Sequence, residues 1–109
     1  MFARLMGLET ISPRELQQLV NEKRVQVFDL NSPQSWTEAH VPGAVHFESE
    51  ADLPLDRNSA LVFYCSNPFC RKAPNAAKRA KSQGYENVRV MSAGITGWLN
   101  AGLPTESGA

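Results

Sequence analysis

One stretch constrains the fold more than any other: Leu61-Val62-Phe63-Tyr64-Cys65-Ser66-Asn67-Pro68-Phe69-Cys70-Arg71-Lys72-Ala73-Pro74. It opens as a short apolar run, the pattern of a strand buried on both faces. It then turns polar and passes into Asn75-Ala76-Ala77-Lys78-Arg79-Ala80-Lys81, which reads as a helix. Cys65 therefore stands where a strand over 60–64 ends and a loop leads to a helix N-terminus. In an open α/β sheet, ligands bind outside the carboxyl ends of the strands. Backbone N–H groups and the helix dipole favour negative charge there, and the same surroundings lower a thiol's pKa. The remainder of the chain reads as the frame that holds this cysteine.

The frame alternates strands with helices. Ser12-Pro13-Arg14-Glu15 starts a helix over 13–22, with Ser12 as N-cap, Pro13 at the first helical position and Glu15 closing a capping box. Leu16, Leu19 and Val20 give it one apolar face. Residues 25–30 form a strand with Asp29 near its carboxyl end. Ser32 caps a short helix from Pro33 to about Ala39, and Pro42-Gly43 marks a turn. Val45-His46-Phe47 is a short strand, followed by polar, irregular chain with a turn of helix near 50–53. Ala73, Ala76, Ala77 and Ala80 form a small-residue stripe that lets the next helix approach a sheet closely, and Gly84 lies just past its end. Residues 88–91 form a strand. A last helix carries Ile95, Trp98 and Leu99, with Trp98 on its apolar face, and Gly102 ends it. Trp36 has no clear place. Such alternation predicts a largely parallel sheet with helices on both faces.

A chain of 109 residues fits one domain, spanning 1–109 with its core at about 11–104. Eleven basic and eleven acidic residues cancel, so bulk charge points to neither nucleic acid nor a membrane surface as partner. No apolar run reaches membrane-spanning length, and the first eight residues lack the apolar stretch and cleavage site of a signal peptide. The expected location is cytoplasmic. Two cysteines in such a chain point to chemistry rather than to a stapled fold.

Several segments, in order and at matching spacing, resemble the rhodanese-like family of single-domain sulfurtransferases. Val27-Phe28-Asp29-Leu30 is similar to that family's strand ending in Asp. Trp36-Thr37-Glu38-Ala39-His40-Val41-Pro42-Gly43-Ala44 is similar to its E-x-G-H-I/V-P-G-A signature, with Ala39 where Gly is usual. Phe63-Tyr64-Cys65 matches the strand leading to the catalytic cysteine, and Gly84-Tyr85-Glu86-Asn87-Val88 its G-Y/F-x-N-V. Ala93-Gly94-Ile95-Thr96-Gly97-Trp98, then Ala101-Gly102-Leu103-Pro104, matches its tail.

The resemblance implies a rhodanese-like doubly wound α/β fold around a mainly parallel five-stranded sheet. It implies that Cys65 is catalytic, taking a sulfane sulfur from a small anionic donor such as thiosulfate and passing the persulfide sulfur to a thiol, such as glutathione or thioredoxin, or to cyanide. No cofactor is expected. The candidate substrate-binding residues are Ser66, Asn67, Phe69, Cys70, Arg71 and Lys72. Asp29, Glu38 and His40 look like acid–base groups, but the resemblance assigns them to ordering the loops.

Two departures from the family pattern stand out. The usual loop places a basic residue five positions after the cysteine; here Cys70 occupies that position, and Arg71 and Lys72 follow. Leu30 and Asn31 replace the Arg that commonly follows the strand-end Asp, which removes an ion pair. Cys70 has two readings, a resolving thiol and a passive loop residue. A metal site is not expected, because C-x4-C with the distant His40 and His46 is not a zinc spacing. The spacing from Cys65 to Arg71 is C-x5-R, as in tyrosine phosphatases and rhodanese-fold phosphatases and arsenate reductases, so an oxyanion-handling enzyme is the alternative. A non-catalytic rhodanese-like module is the third reading, opposed by the presence of Cys65.

Overall fold

The computed structural model describes residues 2–108. Five parallel strands form a single sheet: β1 (Glu9–Thr10), β2 (Gln26–Asp29), β3 (Val45–His46), β4 (Leu61–Tyr64) and β5 (Val88–Val90), in the order β1-β5-β4-β2-β3. The helices are α1 (Phe2–Leu5), α2 (Pro13–Asn21), α3 (Pro33–Glu38), α4 (Lys72–Ser82) and α5 (Gly94–Asn100), with a 3-10 turn at Glu50–Asp52. The sheet is wholly parallel, which sharpens the mainly parallel expectation.

The central position of β4 follows from its sequence. Leu61, Val62, Phe63 and Tyr64 are all buried, because β4 pairs with β2 on one side and β5 on the other. Side chains alternate across a strand. Leu61, Phe63 and Cys65 accordingly join a core cluster with Phe28, Val90 and the Ala73, Ala76, Ala77 and Ala80 stripe of α4. Val62 and Tyr64 join the opposite cluster with Leu16, Val27, Met91 and Trp98. The same alternation thus turns the Cys65 thiol toward α4 and the Tyr64 phenol away from it. Trp98 is wholly buried, and truncating such a ring typically costs about 3–5 kcal/mol.

Local signals were accurate where they were strong. The Ser12 capping box closes with both bonds at 3.2 Å, Ser32 caps α3, and α2 begins at Pro13. Two elements escaped the sequence reading: α1, and the edge strand β1, which pairs Thr10 with Val90. Each is too short to show a period.

Candidate active site

The strand-end loops are tied together from below. Asp29 and Tyr64 are partners in register across β2 and β4. The Tyr64 hydroxyl donates to Asp29 Oδ2 at 2.5 Å and accepts from the Val41 amide at 3.1 Å. Asp29 Oδ1 accepts from the Asn31 amide at 2.7 Å. Asn31, where the family pattern suggests Arg, replaces an ion pair with neutral bonds. Its Oδ1 accepts from Ser66 Oγ at 2.7 Å, and its carbonyl lies 2.8 Å from His46 Nε2, which must therefore carry a proton to donate. Tyr64 and Asn31 are structural anchors that the sequence reading did not assign.

Asp29 is completely buried. Burial pushes its carboxyl above the usual range, against smaller opposite effects of the Tyr64 hydroxyl and the Asn31 amide. The native state therefore holds this proton more tightly than the unfolded chain does. The associated stability is complete below the unfolded Asp value and is lost as pH rises through the higher native one. Compared with Asp29→Asn, the wild type is expected to gain stability as pH falls from neutral into the acid range, read as the difference in urea midpoints. A difference independent of pH would contradict the raised value.

His40 is buried, with Nδ1 2.7 Å from the Trp36 carbonyl, so Nδ1 is the protonated nitrogen. Its ring stacks on Trp36, whose Nε1 donates to the Ala44 carbonyl at 3.0 Å. Trp36 is half-buried and braces this loop. Glu38 does not share the loop-ordering role expected of it. It is exposed on α3, and its carboxylate makes no hydrogen bond or ion pair among the described residues, because the helix turns it to solvent. Glu106 does that work instead. Its backbone pairs with His40 in both directions at 2.9 Å, and its Oε1 accepts from the Gly43 amide at 2.8 Å. The resemblance stops at Pro104, so nothing in the sequence marked Glu106.

The loop after β4 curls. Asn67 takes the Cys70 amide on its carbonyl at 3.1 Å and the Phe69 amide on Oδ1 at 2.9 Å. Pro68 has no amide to give. The curl brings Cys70 back beside Cys65, so that the two line one small cavity, and the thiols are unbridged. The backbone amides of Ala73 and Ser66 favour the charged form of Cys65, and those of Lys72 and Ser66 that of Cys70. Phe69 and Ser66 are exposed, and so are Arg71, the N-cap residue of α4, and Lys72, its first residue. From behind, α5 grips the loop: the Ile95 amide donates to the Cys65 carbonyl at 2.9 Å, and the Thr96 amide to the Ser66 carbonyl at 3.1 Å. Among the described residues, no three His, Cys, Asp or Glu side chains converge as a metal site.

The charge distribution within the thiol pair differs from the expectation of a low-pKa Cys65. Cys65 is only 3% exposed, and burial, then the hydrogen bond to Cys70, pushes its thiol up to about 12. Burial opposes ionisation at Cys70 as well. There the Cys65 hydrogen bond, the Lys72 and Ser66 amides and the Lys72 charge outweigh it and hold the thiol below its ordinary value. The surroundings thus disfavour ionisation at Cys65 and favour it at Cys70. Removing the Lys72 charge should raise the Cys70 value. Lys72→Ala is expected to slow alkylation by iodoacetamide at neutral pH up to about fivefold, the equivalent of the ~0.2–1 kcal/mol of a solvent-screened pair. An unchanged rate would mean that the amides alone hold the thiolate.

A family model described as the Rhodanese-like domain matches residues 12–101, most of the chain. The chain belongs to the rhodanese-like family. It is 29% identical over 100 residues to the slr1261 protein of Synechocystis and 30% identical over 107 residues to the HTH-type transcriptional regulator Rv0324 of Mycobacterium tuberculosis. These matches take in 88% and 93% of this chain but 55% and 46% of those proteins, so the chain spans about half their length. It is 26% identical over 106 residues to the thiosulfate sulfurtransferase GlpE of Haemophilus influenzae, with 94% and 98% of the two chains covered. Among solved structures, a thiosulfate sulfurtransferase from Pseudomonas aeruginosa superposes with a TM-score of 0.80 and 27% identity, over 93% of this chain and 20% of that one.

Proposed function

We propose that this rhodanese-like domain is a sulfurtransferase in which Cys65 takes a sulfane sulfur from a small anionic donor of the thiosulfate type and holds it as a persulfide. The observation that carries the reading is the seat of Cys65 just past the end of β4, in the loop that leads into α4, with Cys70 beside it on the same small cavity. The family relatives named as thiosulfate sulfurtransferases support it. The buried Cys65 thiol must lose its proton as it attacks. The balance is Cys65–SH and thiosulfate giving Cys65–S–S⁻, sulfite and a proton released to solvent. The Cys65 sulfur bonds to the outer sulfur of the donor, and the donor's own S–S bond breaks. The loop amides and Lys72 stabilise the persulfide anion. Glutathione or thioredoxin is the proposed kind of acceptor, in the cytoplasm.

The loop's internal bonds weigh against the alternative phosphatase or arsenate reductase reading. An oxyanion cradle needs its amides free to face the ligand. Here Asn67 consumes those of Phe69 and Cys70, and Pro68 supplies none. The test is incubation with thiosulfate and, separately, with a chromogenic aryl phosphate. The expected result is a gain of one sulfur in intact mass with release of sulfite and no hydrolysis of the phosphate. Hydrolysis without sulfur uptake would overturn the proposal.

A further inference from the structure

Cys70 lines the same small cavity as Cys65, whose own sulfur is the inner sulfur of the persulfide. The two thiols and Asn67, Ala73 and Ser92 line a cavity of about 10 Å³, a size suited to roughly one small occupant such as a water. Ser92 Oγ is buried and has no hydrogen-bond partner among the described residues, so the cavity wall carries a hydroxyl available to an outer sulfur. Cys70 is only half-buried, so a bond formed between the two cysteines would remain open to a reductant.

From this arrangement we infer that the domain releases its sulfur as hydrosulfide, through attack of Cys70 on the inner sulfur of the Cys65 persulfide, and is reset by an external dithiol. The inference rests on the sulfurtransferase reading. In the step, Cys65–S–S⁻ and Cys70–SH give a Cys65–Cys70 disulfide and HS⁻. A bond forms between the two cysteine sulfurs, the persulfide S–S bond breaks, and the Cys70 proton leaves with the outer sulfur. The two cysteines are oxidised by two electrons, and the sulfane sulfur is reduced to sulfide. A dithiol then reduces the disulfide by exchange and itself becomes a disulfide. The Asn67 turn already sets both cysteines on one cavity. The acceptor that completes turnover is accordingly a dithiol protein or small dithiol reacting with a disulfide, rather than a molecule that must reach a buried persulfide.

The experiment is a single turnover without added thiol. Wild type and Cys70→Ser, with Cys70→Ala as a second variant, are loaded with thiosulfate to the end point, desalted anaerobically and followed by intact mass and released sulfide. Trypsin cuts after Arg57 and Arg71, so one peptide carries both cysteines and reports their bridge. In the wild type, the added sulfur should disappear with one sulfide released per sulfur held, leaving that peptide two hydrogens lighter. Both variants should keep the sulfur at least tenfold longer and release no sulfide. Wild type that holds its sulfur as long as the variants, or loses it without a disulfide, would overturn the inference while leaving the sulfurtransferase reading standing. No sulfur uptake by any of the three proteins would overturn both.

Discussion

Cys65→Ser is expected to abolish sulfur uptake, with transfer from thiosulfate falling on the order of a thousandfold or more, as removal of a covalent nucleophile does. A hydroxyl cannot form the S–S bond on which the reaction depends. The substitution also removes a buried group that packs as a small hydrophobe, among Phe63, Val90 and the alanines of α4. A serine hydroxyl there keeps polar neighbours, so the stability loss should be about 1–3 kcal/mol at most, and a urea midpoint will separate it from the catalytic loss. The variant retains one cysteine. Any sulfur it acquires must therefore reside on Cys70, whose surroundings favour the thiolate more than those of Cys65 do. Uptake at the wild-type rate would transfer the role of nucleophile to Cys70 and reverse the roles assigned to the two thiols.

That outcome bears on what the sequence can and cannot disclose. The seat of Cys65 was legible because it depends on local rules: a short apolar run makes a buried strand, and the chain after it must turn. Its direction toward α4 follows from alternation along β4. Its ionisation was not legible. A strand end before a helix suggests a lowered thiol pKa, yet that rule ignores burial, and the core around Cys65 and the neighbouring Cys70 prevail. The contact between the cysteines depends on how Asn67 folds the loop, through one carbonyl and one side-chain oxygen, and spacing alone allows both a curled and an extended segment. The Tyr64–Asp29 bond joins residues 35 apart in the chain. It requires the register of β2 against β4, which no single segment encodes. Glu38 and Glu106 show the opposite hazard. The motif drew attention to the glutamate inside it, while the carboxylate that braces the loop arrives from the far end of the chain.

Gly94→Ala is the substitution expected to damage the site most from outside it. Gly94 has φ of +66° and begins α5 directly behind the active loop. A Cβ there would lie 2.5 Å from the Ser66 carbonyl carbon, 2.6 Å from its oxygen and 2.7 Å from the Asn67 nitrogen. These are backbone atoms, so no side chain can rotate away, and the loop itself must move. The left-handed conformation costs a non-glycine residue roughly 1–2 kcal/mol, and forcing an extra methyl into a packed site adds about 1–3 kcal/mol. The sum, about 2–5 kcal/mol, is a large share of a small domain's stability and corresponds to a midpoint lower by roughly 10–30 °C. The displacement should also stretch the Ile95 and Thr96 bonds to the Cys65 and Ser66 carbonyls and separate the thiols, so sulfur loading should fall even where the variant remains folded. Gly102→Ala supplies the control. Gly102 has φ of +74°, but its added Cβ would meet nothing within 4 Å. It should show only the conformational cost and load sulfur as the wild type does. Equal stability losses in the two variants, with normal loading in both, would mean that the loop yields freely and that the close approach at Gly94 does not fix the thiol pair.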